Sequence, residues 1–331
     1  MKLIQYIDEN GDRAVAARRG TGDLKGVEGV KTVYDLALLA ITEGCSLTEV
    51  TETRLSKDVG DILDLLAQKR ILPPTDHTDP RAHWLTGTGF THMVPSAQAA
   101  QRNNPPTANE LATMAPAAQL IAKGVLEGKP EPGAVGLQPE WFYKGDGRGL
   151  TMPEGPLMCP AFGQDGSEEA EVVAHYIIDK TGTPHRMGFT LGNEFTDHAM
   201  DGENAYYLSH AKIRPCSFGP ELLLGPLPSN VEGRTRIFRG DDVIFEAPFW
   251  CGEDNMTHSL DNLEHHHFKY DLFRQPGDIH SHFLGTTTMS YQKGVRLEAG
   301  DLIELESEVF GAPLRNKVTA SPKAAVTVET L

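Results

Sequence analysis

The chain has 331 residues, of which 39% are hydrophobic, so it can bury a sizeable core arranged in one or two domains. Its 46 acidic residues outnumber 30 Lys and Arg residues and give a formal net charge of −16. A nucleic-acid partner is therefore not expected, because phosphate neutralisation needs clustered Lys and Arg.

No apolar stretch approaches the length of a membrane span, and the N-terminal sequence MKLIQYIDENGD lacks the apolar centre of a signal peptide. The four cysteines show no CxxC spacing, which favours reduced thiols over a disulfide framework or a zinc site. These features predict a cytoplasmic protein without a membrane partner.

Residues 1–75 are predicted to form a small N-terminal domain with both helices and strands. Asn10-Gly11 lies between two apolar runs and indicates a β-hairpin. Helical patterns cover Tyr34–Ile41 and Asp58–Lys69. Pro73-Pro74 marks the predicted boundary. The region shows no catalytic motif, and we expect it to serve packing and to contribute to a dimer interface.

Residues 76–331 are predicted to form the second domain. Residues 83–92 read as a strand that leads into a glycine-containing loop ending at His92. Thr107–Glu110 has the pattern of a capping box, which predicts a helix running to about residue 127. Pro116 is expected to kink that helix or split it in two.

Three acidic residues are predicted to converge on a metal site. Glu169 and Glu171 open a strand-like run, and two-residue spacing puts both side chains on one face of a strand. A second strand-like run, Met187–Leu191, leads to Glu194. Three carboxylates at one end of paired strands suit Mg²⁺, Mn²⁺ or Ca²⁺. The alternative is that Glu169 and Glu171 merely form a solvated strand face.

A series of short motifs runs from Pro139 toward the C-terminus. They are, in order, PEWFYKG from Pro139, Glu169-x-Glu171, GNEFTDH from Gly192, Ala211-Lys212, CSFGPEL from Cys216, LGTTT from Leu284, LEAGD from Leu297 and GAPLRNKV from Gly311. This series resembles the fumarylacetoacetate hydrolase superfamily. The resemblance implies a β-rich fold around a divalent metal held by three carboxylates, and a 2-oxo acid substrate. With the N-terminal region, it predicts an α+β protein. Glu194 departs from the superfamily pattern, in which the third acid is usually Asp.

The resemblance implies catalytic roles for three residues. Lys144 matches a superfamily lysine beside the metal, where a cation would stabilise an enolate. Lys212 matches a second lysine that approaches the metal. Glu140 matches a proposed proton-transfer residue of archaeal 2-keto-3-deoxy-sugar-acid dehydratases. The alternatives are a surface lysine for Lys212 and an ordinary strand-edge acid for Glu140.

Two further segments are candidates for the pocket. His92 lies in the loop where the superfamily's hydrolases carry a catalytic histidine, but a single loop histidine can equally be structural. Gly285, Thr286 and Thr287 correspond to the superfamily's TGTP segment. Their hydroxyl and backbone N–H groups would bind the substrate carboxylate.

These implications lead to a functional hypothesis. A Mg²⁺ ion, or Mn²⁺, would polarise the carbonyl of a 2-oxo acid and acidify C3. The hydrolases' usual loop residues are missing, whereas Glu140 fits the dehydratase branch, so we predict dehydration of a 2-keto-3-deoxy-pentonate by a homodimer or higher homo-oligomer. The alternatives are a hydrolase of a 2,4-dioxo acid and a non-catalytic 2-oxo acid binding protein.

Overall fold

Two β-sheets of unequal size organise the chain, which a computed structural model describes from residue 1 to residue 331. The result is a mixed α+β fold rich in strands, as predicted. The strands are, in chain order, β1 (Lys2–Ile7), β2 (Arg13–Arg18), β3 (Leu24–Val27), β4 (Leu55–Gly60), β5 (Ile71–Leu72), β6 (His83–Gly87), β7 (Phe142–Asp146), β8 (Leu150–Thr151), β9 (Pro156–Cys159), β10 (Ala170–Ile178), β11 (Pro184–Asn193), β12 (Cys216–Phe218), β13 (Leu222–Leu223), β14 (Val231–Arg239), β15 (Asp242–Cys251), β16 (Ile279–Phe283), β17 (Leu302–Glu306) and β18 (Leu314–Ala320).

Nine α-helices are short and flank the sheets. They are α1 (Val33–Glu43), α2 (Leu47–Glu52), α3 (Ile62–Ala67), α4 (Pro95–Asn103), α5 (Ala108–Thr113), α6 (Pro116–Glu127), α7 (His198–Glu203), α8 (Leu208–Lys212) and α9 (Leu260–Phe268). None of them combines the length and the apolar character that crossing a membrane requires.

The larger sheet has the strand order β4-β3-β2-β1-β13-β11-β10-β16-β6-β7, and the smaller has the order β15-β14-β17-β18-β9. Even-numbered residues of β10 from Ala170 to Tyr176 contribute to the main hydrophobic core, which residues of the smaller sheet such as Ile303 and Leu305 complete. Val173 belongs to a separate cluster with residues of β6, β12 and β16. The side chains of β10 therefore alternate between the main core and the face that carries Glu171.

The N-terminal strands continue the larger sheet. The predicted hairpin at Asn10-Gly11 is confirmed, since β1 and β2 pair antiparallel from Lys2↔Arg18 to Ile7↔Arg13. On its other side β1 pairs with β13. The sheet thus runs without a break past residue 75, and the division into domains 1–75 and 76–331 stays a prediction.

The predicted helix Asp58–Lys69 is wrong in its first part. Residues up to Gly60 form β4, which pairs with β3. The helix α3 begins only at Ile62, and the Asp61 side chain caps it by accepting a hydrogen bond from the Leu63 N–H. Pairing with a distant strand supplies backbone hydrogen bonds that a local helical pattern cannot foresee.

The other local predictions are confirmed. The helix predicted at Tyr34–Ile41 is α1, and the Thr107–Glu110 capping box starts α5. The chain breaks between α5 and α6, as expected from Pro116, which occupies the first position of α6. All four cysteines are free thiols.

Candidate metal and substrate site

The register of β10 and β11 brings the three predicted acids together. The strands pair antiparallel, with Glu171 opposite Gly192, and the Glu194 N–H donates to the Glu169 carbonyl at 3.0 Å just beyond the ladder. Glu169 and Glu194 are therefore cross-strand neighbours, and Glu171 lies two residues along on the same face. A side chain at Gly192 has no room, because its Cβ would lie 2.3 Å from Val173 Cγ2.

The three carboxylates form one buried cluster. Each of Glu169, Glu171 and Glu194 offers an oxygen, and these oxygens lie within 4.8 Å of one another. Burial raises the pKa of Glu171 well above its usual range, and the charges of Glu169 and Glu194 add to the effect. Burial likewise raises the pKa of Glu194. The alternative, a solvated strand face, is therefore wrong, because Glu169 and Glu171 are buried.

Two buried lysines neutralise part of this charge. Lys212 Nζ donates to Glu169 Oε1 at 2.6 Å and also to Glu194 Oε2, and it lies 4.5 Å from the centre of the Phe142 ring. Lys144 Nζ lies 2.5 Å from Glu194 Oε1 and donates to the Phe195 carbonyl at 2.5 Å. Burial opposes the charge of Lys212, but Glu169 and Glu194 raise its pKa.

The cluster fits a divalent cation. Three carboxylates face two ammonium groups, so one negative charge is left over when all five groups are ionised. Buried uncompensated charge is costly, and a divalent cation that takes oxygen ligands would more than offset the one excess negative charge. Glu171 contacts neither lysine and accepts only the Gly285 N–H, at 2.7 Å, which makes it the acid that most needs the cation.

A cavity of about 320 Å³ opens beside the cluster. Seven of the ten predicted site residues line it, whereas Lys144, Glu171 and Glu194 do not. A cleft of about 700 Å³ between α1 and β11 contains none of them. The residues that line the cavity are Gly89, Phe90, His92, Met93, Val94, Ile121, Glu140, Glu169, His198, Asp201, Leu208, Lys212, Gly285, Thr286, Thr287, Met289 and Gln292.

Glu140 reaches the cavity from the segment before β7. Burial raises the pKa of its carboxyl to about 7, against the lowering effect of Lys212. A carboxyl with that pKa exchanges protons readily near neutral pH, as a general acid or base must. It has no hydrogen-bond partner within the protein, so it is free to bind a ligand. These properties favour the catalytic interpretation over an ordinary strand-edge acid.

Gly89 leaves the space that the Glu140 carboxylate occupies. A Cβ at position 89 would lie 1.9 Å from Glu140 Oε2, closer than two non-bonded atoms can approach. The backbone of Gly89 is outside the left-handed region, so the restriction is one of space and not of conformation. Gly89 is therefore a positioning residue for Glu140.

We expect Gly89→Ala to displace the Glu140 carboxyl and to lower turnover by about 10²-fold, the usual cost of misplacing a catalytic group by about 1 Å. Metal affinity should not change, because Gly89 touches no member of the carboxylate cluster. Gly149→Ala is the matched control, since its added Cβ would meet only Leu85 Cδ1 at 3.9 Å. Steady-state kinetics and metal titration of both variants test the prediction, and normal turnover in Gly89→Ala would contradict it.

His92 lines the cavity, but its ring nitrogens have protein partners. The Thr91 hydroxyl donates its hydrogen to the Leu284 carbonyl. It therefore accepts the N–H of His92 Nδ1, which lies 3.0 Å away. Nε2 then accepts the thiol hydrogen of Cys251, 3.0 Å away. Burial lowers the pKa of His92 to about 3 and raises that of Cys251 to about 12, so both are neutral. This arrangement favours a structural role for His92.

The segment Gly285–Thr287 lines the cavity and is tied to β10. The Thr286 hydroxyl donates to the Ala170 carbonyl at 2.8 Å, and the Thr287 hydroxyl accepts the Trp250 N–H at 3.2 Å. The backbone N–H groups of Thr286 and Thr287 donate to no protein acceptor. The backbone N–H groups of Thr286 and Thr287 are thus available to bind a carboxylate, whereas the two hydroxyls already form hydrogen bonds within the protein.

The buried carboxyl of Glu168 holds the far end of the same segment. Ser290 donates to it twice, from its backbone N–H at 2.8 Å and from its hydroxyl at 2.6 Å. Burial raises the pKa of Glu168 to about 7. The acids at the start of β10 therefore serve two purposes, since Glu169 and Glu171 form the cluster while Glu168 anchors the segment that lines the cavity.

Sequence reasoning missed three polar residues of the cavity, His198, Asp201 and Gln292. His198 Nε2 lies 3.5 Å from Glu169 Oε1, and its ring packs against Tyr291. His198 and Asp201 belong to α7, three positions apart, so they share one helix face. The signal was available, because His198 ends the GNEFTDH motif and follows Glu194 by four residues.

No protein-family model matches the chain. The curated "Probable 2-keto-3-deoxyxylonate dehydratase" of Haloferax volcanii is 22% identical over 321 residues, which cover 94% of this chain and 96% of that protein. The solved structure of 2-keto-3-deoxy-D-arabinonate dehydratase complexed with magnesium and 2,5-dioxopentanoate superposes with a TM-score of 0.70 and 18% identity, covering 98% of this chain and 100% of the other.

A weaker likeness exists to 5-carboxymethyl-2-hydroxymuconate delta-isomerase from Mycobacterium smegmatis. Its TM-score is 0.57 at 16% identity, with 97% of this chain and 100% of the isomerase covered. The apo form of the arabinonate dehydratase again gives 0.70, at 16% identity. The chain therefore has the fumarylacetoacetate hydrolase-like fold and is a distant relative, over its full length, of the 2-keto-3-deoxy-arabinonate and 2-keto-3-deoxyxylonate dehydratases.

Proposed function

We propose that the protein is a Mg²⁺-dependent hydro-lyase that converts a 2-keto-3-deoxy-pentonate into 2,5-dioxopentanoate and water. The observation that carries the proposal is that Glu140, a carboxyl without a hydrogen-bond partner, lines the same cavity as Glu169, one member of the carboxylate cluster. The full-length likeness to proteins named as dehydratases supports the same reaction. We expect a homodimer, with Mn²⁺ able to replace Mg²⁺.

The proposal assigns substrate binding to groups on two sides of the cavity. Mg²⁺ bound by Glu169, Glu171 and Glu194 supplies Lewis acidity, which makes the C3 protons of a 2-oxo acid easier to remove. The N–H groups of Thr286 and Thr287 bind the substrate carboxylate. The buried charge of Lys212, supported by Lys144 behind it, stabilises the negative charge that develops on the 2-oxo oxygen.

Proton transfer is assigned to Glu140. As a carboxylate it takes a proton from C3, and as the resulting acid it gives that proton to the C4 hydroxyl, which leaves as water. A proton then leaves C5 and another is added at C3, so the double bond moves from C3–C4 to C4–C5 and an enol forms. The enol hydroxyl loses its proton and C4 gains one, which turns C5 into the aldehyde. The sum is loss of one water molecule, with no oxidant or reductant required.

Product analysis tests this assignment. We expect the protein with Mg²⁺ to convert a 2-keto-3-deoxy-pentonate into an aldehyde that a coupled aldehyde dehydrogenase oxidises to 2-oxoglutarate. Formation of pyruvate from a 2,4-dioxo acid, with the deoxy sugar acid left intact, would replace the proposal by the hydrolase alternative. Binding of pyruvate-like acids without any turnover would instead indicate a binding protein.

A further inference from the structure

The cavity beside the carboxylate cluster holds little free positive charge. Lys212 is the one Lys or Arg among its lining residues, and its ammonium group is already bound by Glu169 and Glu194. Glu140 and Asp201 line the same cavity, and neither forms an ion pair. A second anionic group on a bound 2-oxo acid would therefore meet two carboxyls and no available cation.

The side of the cavity formed by α7 is polar and held firmly. Asp197 accepts the Met200 N–H at the start of α7 and forms a buried ion pair with Arg214 at 2.8 Å. His198 is only 9% exposed, and its Nε2 forms no hydrogen bond, with Glu169 Oε1 3.5 Å away. A buried polar atom without a partner is rare in proteins, and one that lines a cavity indicates a ligand group that binds to it.

We propose that the face of α7 carrying His198 and Asp201 binds the part of the substrate beyond C3. It selects 2-oxo acids with an uncharged, hydroxylated end over those that carry a second carboxylate or a phosphate. The inference deepens the proposed function and rests on it, since it concerns the substrate of the same cavity.

The chemistry of the two side chains fits hydroxyl groups. A hydroxyl donates to the Asp201 carboxylate and also pairs with His198 Nε2, whichever tautomer the ring adopts, because it both donates and accepts. A carboxylate or phosphate at the same place can only accept, and it is repelled by the Asp201 charge. Asp201 thus acts as a specificity-determining residue and His198 as the hydrogen-bonding residue beside it.

Binding of two unreactive acids of five carbons tests the charge selection. 2-Oxopentanoate and 2-oxoglutarate differ only in whether the far end is a methyl group or a carboxylate. The titration is done with Mg²⁺ at about pH 8, because burial raises the pKa of Asp201 and a higher pH favours its carboxylate form. Calorimetry should show that wild-type protein binds 2-oxoglutarate at least about tenfold more weakly. Asp201→Asn should shrink the difference several-fold.

Glu203→Gln is the matched control. It removes one negative charge from the same helix, but Glu203 is exposed and binds the Gln164 amide at 2.8 Å instead of lining the cavity. It should leave the wild-type difference unchanged. Equal binding of the two acids by wild-type protein, or an equal effect of the two variants, would overturn the inference while leaving dehydration possible. Failure of both acids to bind would overturn the 2-oxo acid site, and the proposed function with it.

Hydroxyl recognition is tested by comparing 2-oxopentanoate with the 2-keto-3-deoxy-pentonate, which adds hydroxyls at C4 and C5. The comparison uses a Glu140→Gln background, in which we expect turnover to be slow enough for titration. The hydroxylated acid should bind about tenfold more tightly, and a further His198→Ala change should remove most of that gain. An undiminished gain in the His198→Ala protein would exclude His198 from the subsite.

Discussion

Replacing Glu171 by Gln is expected to abolish turnover and to lower Mg²⁺ affinity by more than about 100-fold, since even the outer hydrogen-bond partners of metal ligands are worth about 10–100-fold. Glutamine keeps the shape of the side chain but removes its charge. Glu171 is the member of the cluster that no lysine neutralises, so its charge is directed entirely to the cation. Glu169→Ala and Glu194→Ala are expected to abolish metal-dependent turnover as well.

Titration with Mg²⁺ or Mn²⁺, together with a circular dichroism spectrum, separates loss of the metal from loss of the fold. Glu264→Gln is a matched control, because Glu264 is another partly buried carboxyl with a raised pKa, but it accepts the Tyr176 hydroxyl at 2.8 Å and does not belong to the cluster. It should bind metal normally. Full activity of the three cluster variants in chelator-treated buffer would show that these acids hold no essential metal.

Glu140→Gln is expected to reduce the dehydration rate by about 10²–10⁴-fold, the usual contribution of a positioned acid or base, which corresponds to roughly 3–5 kcal/mol of barrier. Glutamine retains the size and loses the exchangeable proton. Metal binding and KM should change little, because Glu140 lies in the cavity and not in the carboxylate cluster. A rate within a few-fold of wild type would remove Glu140 from the mechanism.

The pH dependence gives an independent measurement of the same residue. Burial raises the pKa of Glu140 to about 7, and the carboxylate is the form that removes the C3 proton. The value of kcat/KM should therefore rise with pH up to about 7 and should fall by about tenfold for each pH unit well below it. This acidic limb should be missing from the residual activity of Glu140→Gln, whereas Gly149→Ala should keep it.

The sequence by itself was enough to predict that three carboxylates form one cluster. Two-residue spacing puts Glu169 and Glu171 on one strand face, and the next strand-like run ends at Glu194, so antiparallel pairing brings the three together. Local patterns also located α1, the capping box of α5 and the hairpin at Asn10-Gly11. Such features depend on neighbours in the chain, which a single sequence contains.

Features that depend on distant parts of the chain were decided only by the tertiary structure. Residues up to Gly60 form a strand instead of the predicted helix, because they pair with β3. The second ring nitrogen of His92 pairs with the thiol of Cys251, which is far away in the chain. The fit of Glu140 against Gly89 and the shared cavity face of His198 and Asp201 are likewise contacts between segments that only folding brings together. Composition and periodicity report on local preference, whereas burial, hydrogen-bond partners and pKa shifts arise from neighbours in space.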